Sequence, residues 1–129
     1  MGRRHYRVTL ADAITAHDEA LTYGGRPGVS SVALIDSALS RPYSGYHLPI
    51  HRKSAALLES MVANHGFIDG NKRTAWLLVE LLIERSGYVL AIDDDEPIDD
   101  LVVAVADGRL DFDGLCEWFR ERLARPIEA

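Results

Sequence analysis

His65-Gly66-Phe67-Ile68-Asp69-Gly70-Asn71-Lys72-Arg73-Thr74 runs without a break into Ala75-Trp76-Leu77-Leu78-Val79-Glu80-Leu81-Leu82-Ile83. The second part is apolar nearly all round. Only Glu80 and Glu84, four apart, mark a solvated stripe, so the segment from about Asn71 to Arg85 reads as the central helix of a bundle. Gly87 suits its C′ position. The first part sets an imidazole, a carboxylate, an amide, two cations and two glycines at the mouth of that helix. The pairing predicts an all-α fold: a compact bundle of five to six helices around the helix at about 71–85. Little or no strand is expected, and one domain covers residues 1–129.

Upstream, Thr9 with Asp12 three residues on is a hydroxyl N-cap with a capping-box partner. Leu10, Ala13, Ile14, Ala20 and Leu21 keep a rough helical stripe that stops near Tyr23-Gly24. Gly24-Gly25-Arg26-Pro27-Gly28 is turn chemistry. Glycine there permits close backbone approach to a ligand, but the simpler reading is a connector. Ser30 or Ser31 caps a second helix through Leu39, closed by Arg41-Pro42. Pro42 to Pro49 reads as an irregular flap, and His51 to Asn64 as a third helix with Ala55, Leu58, Met61 and Val62 on one side.

Downstream, Tyr88 to Ile92 alternates weakly and is either a short strand or an extended connector. Asp93-Asp94-Asp95-Glu96 precedes Pro97, which fits N1 of a fifth helix through Ala106. Capping and the helix dipole account for these acids more simply than a metal does, because hard-cation loops space their carboxylates around a glycine turn. Asp111 caps a last helix with Leu115, Trp118, Phe119 and Leu123 inward, and Cys116 reads as a core thiol.

A net charge of −6 argues against direct nucleic-acid binding, which rests on phosphate neutralisation by Lys and Arg. The single Cys116 cannot close an intramolecular disulfide, which fits a reducing cytoplasm. MGRRHYRVTL lacks an apolar secretory core. The longest apolar run, Ala75 to Val79, is far short of a membrane span. These features predict a soluble cytoplasmic protein with no membrane contact.

The chemistry lies in residues 65–74. Free N–H groups and the positive dipole end at a helix start attract phosphate. Gly70 lets a phosphate oxygen approach without a Cβ in the way. Lys72 and Arg73 in the first turn oppose the dipole, a local conflict of the kind found at functional sites. A bound polyphosphate reverses it. Asp69 is then the hard-oxygen ligand for Mg²⁺ shared with phosphate. His65 suits a general base for a hydroxyl, and Arg73 suits stabilisation of a phosphoryl group in transfer. Phe67 anchors the loop in the core. A Walker phosphate loop does not fit: three residues, not four, separate Gly66 from Gly70, Asn71 precedes Lys72, and a helix rather than a strand comes before.

The order His-x-Phe-x-Asp-Gly-Asn-Lys-Arg-Thr resembles the Fic/Doc family signature, and specifically its Doc (death-on-curing) toxin branch. The likeness extends to the N-terminal helix, the Gly24-Gly25-x-Pro27-Gly28 turn and the helix-rich C-terminal half. It implies a Fic/Doc-like helical bundle. It also implies His65 as base, Asp69 as Mg²⁺ ligand, and Gly70, Asn71, Lys72 and Arg73 as the cradle of ATP phosphates. Arg73 is catalytic as well.

Lys72 stands where the AMP-transferring branch has glycine, and Trp76 where that branch has a second arginine. In Doc-like members this accompanies reversed nucleotide orientation and phosphorylation of the target. Gly66 replaces a common proline and is expected to loosen the loop. The resemblance thus implies a toxin of a toxin–antitoxin pair, a kinase transferring the ATP γ-phosphate to a Thr or Ser hydroxyl of a translation factor. Elongation factor Tu is the implied substrate and a Phd-like antitoxin the implied partner. The Pro42–Pro49 flap would hold the target segment as an added strand.

Three alternatives stand beside this. A Fic-type AMP transferase keeps the same site. A catalytically silent antitoxin-binding module keeps the loop as a docking surface. A metal phosphohydrolase would be built on His17-Asp18, though no second His-rich segment supports it. Thr15-x-x-x-Glu19 faintly resembles the self-inhibitory helix of some Fic proteins, but Ala20 breaks the pattern, so inhibition is expected to be external.

Overall fold

A computed structural model describes residues 5–126. The first helix, α1 (Leu10–Ala20), starts on the expected capping box. Thr9 Oγ1 accepts the Asp12 N–H at 3.1 Å, and Asp12 Oδ2 accepts the Thr9 N–H at 3.0 Å. A 3₁₀ turn, Leu21–Tyr23, carries the chain into Gly24. The second helix, α2 (Val32–Ser40), is capped by Ser31, whose Oγ accepts the Leu34 N–H at 3.1 Å. The serine hydroxyl that caps is therefore that of Ser31, not Ser30.

A second 3₁₀ turn, Arg41–Tyr43, leads through bends to α3 (Ile50–Asn64). The loop at 65–70 follows, then α4 (Asn71–Arg85). Of the two readings of residues 88–92, the strand holds: β1 (Val89–Leu90) pairs antiparallel with β2 (Leu123–Ala124). Between them lie α5 (Ile98–Ala106) and α6 (Phe112–Arg122). Leu123, expected in the last helix, instead pairs with Leu90, and the Ala91 N–H bonds the Arg122 carbonyl at 2.8 Å. Pro97 sits at the N-cap of α5 rather than at N1, and Asp99 and Asp100 supply the acidic first turn. Glu96 leaves the acidic run to pair with Arg122 of α6 at 2.6 Å.

The fold is all-α apart from this two-residue ladder. α4 packs between α1 and α3, as its apolar surface demands. It shares the centre with α3, which touches α2, α4, α5 and α6 and is enclosed more completely. Ser54, Ala55, Ala56, Leu57, Leu58, Ser60, Met61 and Val62 of α3 are all buried. Four of them are alanine or serine, which hide a buried face from a hydropathy pattern while allowing helices to approach closely. Among the described residues no helix is long and apolar enough to cross a membrane.

Candidate active site

The loop between α3 and α4 begins with His65, which ends α3 in a left-handed conformation, φ 49° and ψ 48°. Among the described residues it is the one non-glycine residue at positive φ. A bulky side chain held there marks a position the surroundings over-determine. Gly66 follows, buried, with its carbonyl accepting the Ser30 and Ser31 N–H groups at 2.9 and 3.1 Å. A Cβ on Gly66 would collide with Ile35 Cγ1 and lie 3.2 Å from the Ile35 backbone nitrogen. Glycine here therefore seats the loop on α2. Gly66→Ala is expected to cost about 1–3 kcal/mol through overpacking, read from urea denaturation.

Phe67 is 1% exposed and forms an isolated antiparallel bridge with Val29. Beside it the Ile68 N–H bonds the Gly28 carbonyl at 3.0 Å. The glycine turn is therefore more than a connector. Its Arg26 N–H donates to Asp69 Oδ2 at 3.0 Å, and a Cβ on Gly25 would sit 3.2 Å from that same oxygen. Close backbone approach is what these glycines provide, toward the protein's own loop. The Pro42–Pro49 stretch is not the neighbour of this site. It feeds the N-terminus of α3, and the loop leaves the C-terminus, about 22 Å along a helix of this length. The segment bridged to the loop that follows His65 is Gly28–Ser30.

Asp69 Oδ1 accepts the Gly70 N–H at 2.9 Å. The N–H donors of Arg26 and Gly70 hold the Asp69 carboxyl below the usual carboxylate range. Gly70 is the N-cap of α4 at φ 76°, and no side chain caps the first turn. The N–H groups of Asn71, Lys72 and Arg73 are thus left for a ligand. The Asn71 side chain is already committed: its Oδ1 accepts the Phe67 N–H at 3.0 Å and its Nδ2 donates to the Phe67 carbonyl at 2.9 Å. What Asn71 can offer a phosphate is its backbone. Arg73 reaches back to the end of α1, donating to the Ala20 carbonyl at 3.3 Å and lying 4.9 Å from the Tyr23 ring centre. Among the described residues neither Lys72 nor Arg73 has a carboxylate within ion-pair distance.

His65, Asp69, Gly70, Asn71, Lys72 and Arg73 line one cleft of about 340 Å³, closed at its edge by Val62 and Ile68. A second cleft of about 230 Å³ adjoins it, sharing Lys72 and Arg73 and floored by Trp76, Ile98, Val102 and Val103, with Asp99 present. Trp76 also packs on α6, its ring 6.3 Å from Phe119 and 6.2 Å from Trp118. The position that would bear a second guanidinium is filled by an indole wedged between helices. Among the described residues no three His, Cys, Asp or Glu side chains gather to hold a metal. A single ionised carboxylate beside free N–H groups and cations fits Mg²⁺ bound together with phosphate, since that ion is commonly held by one or two carboxylates plus phosphate oxygens.

His17 overturns the phosphohydrolase reading. Its ring is 4% exposed, stacks on Phe67 with centres 3.9 Å apart, and places Nε2 2.8 Å from the Asp69 carbonyl oxygen. Asp18 points away from that buried face and is exposed. The pair cannot converge on one metal ion. The sequence carried a signal for this contact: His17 lies on the same face as Ala13, Ala16 and Ala20, and a polar ring on an inward face needs a partner. Thr15 and Glu19 line a different groove, with Glu80 and Glu84 of α4.

A helical bundle that presents an imidazole, a carboxylate and an uncapped, cation-flanked helix start in one cleft defines the class. The chain belongs to the Fic/DOC family, whose sequence model matches residues 7–83. It is also 36% identical over 110 residues to the Toxin Doc of Mycolicibacterium smegmatis, covering 81% of this chain and 83% of that protein.

Proposed function

We propose that the chain is a Doc-like toxin that transfers the γ-phosphate of ATP to a Thr or Ser hydroxyl of a translation factor, with elongation factor Tu the substrate implied. A Phd-like antitoxin would restrain it in the cytoplasm. One observation carries the reading. The anion cradle at the start of α4 is filled by the long cation of Lys72 beside Arg73, while Trp76 removes the second guanidinium. The likeness to a protein named Toxin Doc supports the toxin part of the reading.

In this reading the N–H groups of Asn71, Lys72 and Arg73, with the two cations, bind and orient the triphosphate. The adjoining apolar cleft takes the nucleoside. His65 accepts the proton of the target hydroxyl as the hydroxyl oxygen bonds to the γ-phosphorus. The bond from phosphorus to the β–γ bridging oxygen breaks, and its electron pair leaves with ADP. Arg73 swings from Ala20 and Tyr23 to meet charge on the phosphoryl oxygens, where a guanidinium is effective. Asp69 would hold Mg²⁺, which when bound neutralises phosphate charge. The target segment lies along Gly28–Ser30, which is bridged to the loop that follows His65.

Incubation with a cell extract and ATP labelled at either the γ- or the α-phosphate tests the reading. Transfer of the γ label alone, to a band of the elongation factor's mass, is expected. Transfer of the α label would make the enzyme an AMP transferase. No transfer of either, with growth arrest retained in His65 and Arg73 variants, would leave a binding module.

A further inference from the structure

We propose that His17 is a positioning residue for the loop, fixing the Asp69–Gly70 peptide so that the carboxylate and the first N–H groups of α4 face one ligand. The inference rests on the nucleotide-binding reading above, and goes beyond it by placing part of the site's control in α1.

The loop has few internal means of holding its shape. The loop runs from a left-handed His65 to a left-handed Gly70, a residue type whose backbone is free to take several conformations. Asn71 pins the Phe67 peptide, and the Arg26 N–H pins one carboxylate oxygen. Neither fixes the Asp69 carbonyl. His17 does, through Nε2 at 2.8 Å. Because a carbonyl only accepts, Nε2 must carry the proton, which sets the neutral ring's tautomer. The same imidazole lies nearly parallel to Phe67, at 11°, and its Cδ2 and Nε2 lie 3.7 Å from where a Gly70 Cβ would project.

One rigid, buried ring therefore touches the anchor, the carbonyl and the helix-start glycine. Turning the Asp69–Gly70 peptide would break the His17 bond and aim the Gly70 N–H away from Asp69 Oδ1. A residue that merely filled space would need only the flat ring. The nitrogen and its tautomer are what positioning requires. Partners of this kind, one step removed from a metal or phosphate ligand, typically change affinity about 10–100-fold when removed.

Two variants separate the roles. His17→Phe keeps the stacked ring and removes the donor; His17→Gln keeps a donor and loses the ring. In ligand-free protein, hydrogen exchange of the Phe67 and Gly70 amides is expected to quicken about tenfold or more in H17F, with amides of α1 and α3 as protected as in the parent. Calorimetric Kd for Mg²⁺ with a non-hydrolysable ATP analogue should weaken about 10–100-fold, and H17Q should recover part of both effects. Parent-like exchange and affinity in H17F would overturn the proposal. So would a loss of protection spread evenly through α1 in both variants, the mark of a core filler. If the parent itself fails to bind the analogue, the nucleotide reading falls. The exchange of Phe67 and Gly70 then decides the role of His17 alone.

Discussion

His65→Asn is expected to lower phosphate transfer about 10²–10⁴-fold, the usual contribution of a general base, while leaving the melting temperature nearly unchanged. Asparagine is the informative replacement because of where His65 sits. Its backbone is left-handed at φ 49°, which asparagine tolerates better than most residues, whereas alanine would add conformational strain to the loss of the base. The side chain is exposed on the cleft, so little packing goes with it. Nucleotide affinity should stay close to the parent's, because the proposed phosphate cradle is the start of α4 and not His65. Single-turnover rates with the labelled target, beside thermal denaturation, provide the check. Transfer within a few-fold of the parent would remove His65 from the mechanism.

Phe67→Ala is expected to cost about 3–5 kcal/mol, the range for deleting a fully buried aromatic ring. For a domain of this size that is a fall in melting temperature of roughly 10–20 °C. Phe67 is 1% exposed, stacked on His17, bridged to Val29 and clamped by Asn71. Nothing nearby can collapse into the gap without moving the loop, so transfer should be lost even at temperatures where the variant is folded. Urea denaturation measures the first effect and the label-transfer assay at low temperature the second. A cost below about 1 kcal/mol would mean that the loop relaxes into the space, and the clamp described here would not hold.

The helices were legible because their start and stop signals are local. Thr9 with Asp12, Ser31, Asp111 and the glycines after α1 and α4 each act within a turn, and α4 starts and ends at the residues its pattern marks. That residues 65–74 gather around one cleft at a helix start was legible because reactive groups are sparse and their order is informative. Contacts between distant segments were not. Nothing local says that Arg26 supplies an N–H to Asp69, or that Leu123 leaves a helix to pair with Leu90. The side chain of Asn71 shows the same limit, since an amide beside two cations reads as a phosphate ligand until its carbonyl and NH₂ are found on Phe67. The burial of α3 was obscured by its alanines and serines, whose small side chains carry little hydropathic signal.

The hydrogen bonds that shape Asp69 span 52 residues to His17 and 43 to Arg26. Closing such separations is entropically slow compared with forming a helix, so these bonds belong to the late steps of folding. On refolding, helix formation read by far-UV circular dichroism should therefore precede nucleotide binding, which stopped-flow mixing with a labelled analogue can time. Simultaneous appearance of both signals would contradict this order. Under the proposed toxin function, the order carries a consequence in time. A nascent or half-folded chain is harmless, and an interval opens after synthesis in which a partner can arrive before the catalyst exists.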